Sequence, residues 1–115
     1  EVSRLGTALG GRAETFAGLA GMGDMIATCT SPQSRNRHVG LRLAEGISIQ
    51  DITDAMSMVA EGVKSASTVV SLANRHNIEV PICNEIQRIL EGKADATRVY
   101  RGLIRVVAGA ESEPG

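Results

Sequence analysis

Apolar residues in this chain recur at every third or fourth position and nowhere alternate with polar ones over a strand's length. Val63, Ala66, Val69, Val70 and Ala73 share one face of a helical wheel, as do Ile82, Ile86, Ile89 and Leu90. No turn signal sits between two alternating runs, so hairpins are excluded as well. Glycine and proline cut the periodic runs into short lengths. Gly10-Gly11 closes a first helix over residues 2–9. The small-residue stretch AETFAGLAGMGDMIATCT predicts two short helices, near 13–20 and 23–28, before Ser31-Pro32 breaks the chain. The Ser34 hydroxyl is placed to cap a helix reaching about residue 44, with Gly46 as its stop.

Ser48, with Asp51 three residues on, opens another short helix along Ile49, Ile52 and Met56. The helix from Val63 ends near His76 or Asn77, and Asn77 tolerates the left-handed conformation that terminates helices. Pro81 opens the next helix at the position where its missing N–H costs least, and Gly92 stops it. Asp95 caps a last helix whose face is Val99, Leu103, Val106 and Val107. The pattern predicts one all-α domain of about seven helices over residues 1–108, with residues 109–115 a polar, disordered tail.

Composition removes several function classes. Phe16 and Tyr100 are the only aromatic residues, which disfavours base-stacking nucleic-acid modules. A net charge of −1 argues against a phosphate-backbone binder. Cys29 and Cys83 are far apart in sequence and lack zinc-ligand companions, as do His38 and His76, so no metal site is expected. The thiols read as free and buried, in a reducing compartment. The apolar run from Phe16 to Gly23 is far short of a membrane span, and no secretory signal is visible, so the expected location is cytoplasmic. The chain opens at Glu1 with helical spacing already under way and no capping residue before Val2. That start reads as a cut through a helix, and the chain as a piece of a longer protein.

Gly21-Met22-Gly23 has Ile26 where a dinucleotide fingerprint needs its third glycine, and no strand precedes it. Gly92-Lys93 has Gln87 where a phosphate loop needs its first glycine. What remains is the stretch GMGDMIATCTSPQSRNRH. Asp24 reads either as a helix cap or first-turn carboxylate, or as a partly buried acid available to chemistry. Ser34-Arg35-Asn36 reads either as a capped helix start with solvated side chains, or as an anion site. In the second case free backbone N–H groups are joined by a hydroxyl, a guanidinium and an amide. Glu61 reads as a first-turn acid, and Lys64 and Lys93 belong to solvated faces.

Taken whole, GMGDMIATCTSPQSRNRHVG resembles the signature of the bacterial NAD(P)-dependent glycerol-3-phosphate dehydrogenases. In that family G-L-G-D, an apolar run ending T-C-T, and Q-S-R-N-R-x-x-G occur in this order and spacing. VAEGVKSA is similar to the family's V-x-E-G helix start, and NIEVPICNEIQRIL to its x-E-x-P-I segment. SRLGTALGGRAETFAGLAG is similar to what precedes the signature. The resemblance runs over about residues 3–107, and Met22 for Leu is a mild departure.

The resemblance implies the C-terminal all-helical, substrate-binding domain of an oxidoreductase whose N-terminal Rossmann domain lies outside this sequence. It implies interconversion of sn-glycerol 3-phosphate and dihydroxyacetone phosphate with NAD(P)H, feeding glycerophospholipid synthesis, in a homodimer. By motif, Asp24, Ser34, Arg35 and Asn36 match substrate-contacting positions, with Asp24 also supporting catalysis. Arg35, Val59 and Glu61 match cofactor contacts. The family's proton-donating lysine matches a position upstream of Glu1, so this chain alone is expected to bind no cofactor and to be inactive. The alternative is a stand-alone helical module for a phosphorylated metabolite or a partner helix. Neither nucleic acid nor a membrane is an expected partner.

Overall fold

A computed structural model describes residues 1–58 and 60–98. Among the described residues seven α-helices follow one another: α1 (Val2–Ala8), α2 (Ala13–Ala17), α3 (Asp24–Thr30), α4 (Arg35–Ala44), α5 (Ile49–Ala55), α6 (Glu61–Arg75) and α7 (Pro81–Leu90). A π-helical turn (Leu19–Gly23) runs into α3, and a 3-10 turn (Ala96–Arg98) follows α7. No strand occurs among the described residues. No described helix is long and apolar enough to cross a membrane.

The punctuation works as its chemistry dictates. Ser34 Oγ accepts from the Arg37 N–H, and Ser48 Oγ from the Asp51 N–H, each at 3.2 Å. Asn77 adopts φ 56°, the left-handed conformation that turns the chain out of α6. Gly46 and Gly92, with φ of 87° and 76°, do the same after α4 and α7. Asp95 Oδ1 accepts from the Thr97 N–H at 2.9 Å, capping the 3-10 turn. The expected apolar face over Val99, Leu103, Val106 and Val107, and the expected tail, lie outside the described residues.

Val39 on α4, Ile52 on α5 and Ala60 before α6 form the core, with Leu43, Ile47, Met56 and Val63 packed around them. Ala73 and Val80 are buried where α6 meets α7. The first three helices contain no buried residue. The first two helices and the π-helical turn close on Phe16 instead. A Cβ on Gly6 would stand 2.1 Å from the Phe16 ring, and one on Gly21 would stand 2.2 Å from the Phe16 carbonyl oxygen. The backbone thus wraps a lone aromatic at distances only glycine allows.

Two contacts across most of the chain's length tie α1 to the other end. The Arg4 guanidinium donates to the Glu79 carbonyl at 2.9 Å. The Glu1 carboxylate accepts from the N–H groups of Ile82 and Cys83, the first free donors of α7 after Pro81. Burial, reinforced by that carboxylate, pushes the Cys83 thiol up to about 11.

Candidate functional site

Ser31 and Pro32 separate α3 from α4, and the turn that follows holds most of the candidate residues. Ser34 stands at the N-cap of α4, with its oxygen on the Arg37 N–H. Arg35 and Asn36 are the first two residues of the helix, and both are exposed. Successive helical residues point about 100° apart, so their side chains leave in different directions. Both nonetheless reach the segment that leads into α6. The Arg35 guanidinium lies 3.7 Å from Met58 Sδ. Asn36 Oδ1 accepts from the Gly62 N–H at 3.0 Å.

That second bond joins two helix starts. Gly62 lies in the first turn of α6, where backbone N–H groups have no partner within the helix. No local side chain caps α6, and Asn36 supplies one acceptor from α4. The same bond explains why α6 begins at Glu61 rather than at Val63, where the apolar spacing starts. A Cβ on Gly62 would stand 2.9 Å from Asn36 Oδ1, so the amide occupies the space a side chain would need. Glu61 sits in the same first turn, exposed, where a carboxylate suits the helix dipole. Val59 lies outside the described residues.

Asp24 is the first residue of α3, directly after the π-helical turn. The capping position belongs to Gly23, and Asp24 makes no capping bond, so the cap reading does not hold. Nor is Asp24 partly buried: it is exposed. The turn before it is closed by the Gly23 N–H donating to the Gly18 carbonyl at 3.2 Å, a spacing of five that carries no large side chain at either end. Arg37 Nε donates to the Cys29 carbonyl at 2.9 Å, fixing the end of α3 against the start of α4. Asp24 lies five residues before Cys29 on α3, so it stands about 7.5 Å along the axis from that junction. Among the described residues, no hydrogen bond joins Asp24 or Glu61 to Ser34, Arg35 or Asn36.

The structure thus brings Ser34, Arg35 and Asn36 together with the start of α6 and leaves Asp24 apart on its own helix. Three contributors were not singled out from sequence: Arg37, Met58 and Gly62. The bare glycine after Glu61 was the available signal, because a helix start without a local cap needs an acceptor from elsewhere. Cys29, expected to be buried, is exposed. No cluster of three potential metal ligands occurs among the described residues.

Two hollows flank the turn. One, of about 430 Å3, is lined by Ser34, Arg35, His38 and the 55–58 segment, and offers polar and charged groups. The other, of about 540 Å3, lies among α4, α6 and α7 and is lined by Val39, Leu43, Val69, Ile86 and Leu90, with Asn36 and Gly62 also contributing. Its apolar walls suit side chains rather than an anion.

Residues 1–101 match the family model described as NAD-dependent glycerol-3-phosphate dehydrogenase C-terminus. The chain is 57% identical over 115 residues to a glycerol-3-phosphate dehydrogenase [NAD(P)+] of Sphingopyxis alaskensis, covering all of this chain and 34% of that protein. It is 49% identical over 111 residues to one from Mycobacterium tuberculosis, covering 96% of this chain and 33% of that protein. A crystal structure of glycerol-3-phosphate dehydrogenase from Coxiella burnetii superposes with a TM-score of 0.83 at 39% identity, over 90% of this chain and 32% of that one. The chain spans about a third of the length of these relatives.

Proposed function

The chain belongs to the NAD-dependent glycerol-3-phosphate dehydrogenase C-terminal family, and on that premise we propose that it is the substrate-binding domain of such an enzyme. The reaction is the interconversion of sn-glycerol 3-phosphate and dihydroxyacetone phosphate with NAD(P)H, which supplies the glycerol phosphate of phospholipids. A phosphate ester is the part of the substrate that this chain is best equipped to hold. The observation that carries the reading is the start of α4. There a capping serine, an exposed guanidinium and an amide bonded to the start of α6 follow one another at one helix start.

Each residue then has a task. Ser34, Arg35 and Asn36 hold the phosphate. Arg35, Val59 and Glu61 border the cofactor, and the Arg35 fork can bridge both ligands. Asp24 receives a hydrogen bond from the substrate hydroxyl or from a lysine of the N-terminal portion, keeping the proton donor in line. The nicotinamide supplies the hydride when bound. An exposed guanidinium and a first-turn carboxylate suit the edge of such a ligand, and neither can enclose it. The fold that encloses it belongs to an N-terminal Rossmann domain. Leu19, Met22, Met25 and Ile26, all exposed around the start of α3, support a face which that domain covers. In the same reading residues 1–108 are one domain, 109–115 are a tail, and the whole protein is a cytoplasmic homodimer.

The test is turnover. The intact protein should oxidise NADPH in the presence of dihydroxyacetone phosphate, read as absorbance loss at the nicotinamide band, and residues 1–115 alone should not. Turnover by residues 1–115 alone, or none by the intact protein, contradicts the reading.

A further inference from the structure

Among the described residues, one side-chain hydrogen bond reaches α3 from another element: Arg37 Nε donates to the Cys29 carbonyl at 2.9 Å. Little else fixes that helix. Its seven residues fall short of the ~12–15 that an isolated helix needs in water, and none of them is buried. The Thr30 hydroxyl bonds only to carbonyls of its own helix. The last four carbonyls of a helix have no partner among its own N–H groups, and the last turn of α3 holds no basic residue. Arg37 supplies what is missing: a donor for the Cys29 carbonyl and a cation at the negative end of the helix dipole.

The main chain of the same residue is committed elsewhere. The Arg37 N–H donates to Ser34 Oγ at 3.2 Å, which ties it to the turn that carries Ser34, Arg35 and Asn36. Arg37 therefore stands between the two halves of the candidate site, bonded to one through its backbone and to the other through its side chain. Asp24 lies five residues before Cys29, about 7.5 Å along α3. With that lever, a tilt of about 8° at the junction carries Asp24 through about 1 Å. A misplacement of about 1 Å can cost about 100-fold in rate.

We propose that Arg37 is a positioning residue: through the Cys29 carbonyl it sets the tilt of α3 against α4, and so the place of Asp24 relative to the Ser34–Asn36 turn. The proposal rests on the roles given above to Asp24 and to that turn. Arg37 touches neither substrate nor cofactor in this arrangement. Its side chain governs the alignment of the acid, and the phosphate-holding residues keep their places without it.

The test is a split between kcat and KM, with a double-mutant cycle. In the intact enzyme Arg37→Ala should lower kcat for dihydroxyacetone phosphate by roughly 10- to 100-fold and leave its KM within about 2-fold. Arg37→Lys keeps a cation and a donor for the same carbonyl without the fork, so its kcat should lie between the two. Arg37 is exposed, so both variants should stay folded, as thermal unfolding checks. Asp24→Asn should itself lower kcat, and adding Arg37→Ala to it should lower kcat little further, because there is no acid left to align.

An unchanged kcat in Arg37→Ala overturns the proposal. So does a KM raised as much as kcat is lowered, which would place Arg37 on the phosphate itself. A fall as large in the Asp24→Asn background as in the wild type would show that Arg37 does not act through Asp24, and overturns it too. Asp24→Asn with wild-type kcat removes the role given to Asp24 and the proposal with it. An impaired Asp24→Asn beside an unimpaired Arg37→Ala removes the proposal alone.

Discussion

From Arg35 to Leu90 the chain is held by what it buries; from Val2 to Thr30 nothing is buried, and the backbone at Gly6, Gly11 and Gly21 closes on Phe16 instead. Among the described residues, all five buried apolar ones (Val39, Ile52, Ala60, Ala73 and Val80) belong to the first of these regions. The second has none, and leaves Leu19 91% exposed, with Met25 and Ile26 about half exposed. The candidate site divides along the same line. Ser34, Arg35 and Asn36 stand on the region with a core, joined to α6 by a direct bond. Asp24 stands on the region without one, after a π-helical turn of small residues. Binding an anion needs a fixed array of donors. Placing an acid against a second domain needs a surface still open to that domain.

The comparison breaks most readily at the core. Ile52→Ala should destabilise the domain by about 2–5 kcal/mol, because Ile52 packs between Val39 and Ala60 and the space cannot collapse fully. Denaturant unfolding of the isolated chain measures it, and a loss below about 1 kcal/mol would show that this region is not held by burial. Gly21→Ala probes the other region. Its Cβ would meet the Phe16 backbone, which cannot swing aside as a side chain can, so a loss of about 1–3 kcal/mol is expected. A neutral Gly21→Ala would mean that the backbone approach is not what holds α2 to α3.

Smaller effects sharpen the contrast. Ser34→Ala removes the α4 cap and should cost about 1 kcal/mol. Leu19→Ala should change the stability of the isolated chain by about 0.5 kcal/mol or less, since nearly all of Leu19 is already in water. The thiols give a chemical reading of the same difference. Iodoacetamide near pH 8 should label exposed Cys29 and spare half-buried Cys83, whose thiol is pushed up to about 11. The folded chain holds the Cys83 proton more tightly than the unfolded chain does. The associated stability is therefore complete below about pH 9 and lost as pH rises through 9 to 11. Cys83→Ala should flatten that part of the pH–stability curve.

The helices and their local caps were legible because their causes lie within four residues. Ser34, Ser48, Asn77 and Pro81 each act on their own turn. The family signature singled out the Ser34–Asn36 turn as a candidate phosphate site. What escaped was every contact with a distant cause. Glu1 caps α7 across the whole chain, and no pattern near Pro81 announces it. Asn36 caps α6, whereas the sequence marked it only as a possible ligand contact on its own turn. Small residues before Asp24 suggested close backbone approach, but nothing near Gly6 or Gly11 announces that they leave room for the Phe16 ring. Of the readings open for Asp24, the first-turn carboxylate holds; the partly buried one does not, because the apolar neighbours that suggested burial are themselves exposed.

The claim that the α4 turn holds the substrate phosphate is tested most directly by kcat/KM for dihydroxyacetone phosphate in the intact enzyme, comparing Arg35→Ala and Arg35→Lys with the wild type. A charge-assisted hydrogen bond contributes about 1.5–3 kcal/mol, so Arg35→Ala should lose roughly 10- to 150-fold. Arg35→Lys should recover only part of this, because charge survives and the fork does not. The melting temperature should barely move, since Arg35 is exposed and its guanidinium makes its one hydrogen bond among the described residues to the Met58 sulfur. Wild-type kcat/KM in Arg35→Ala would contradict the account and place the phosphate elsewhere.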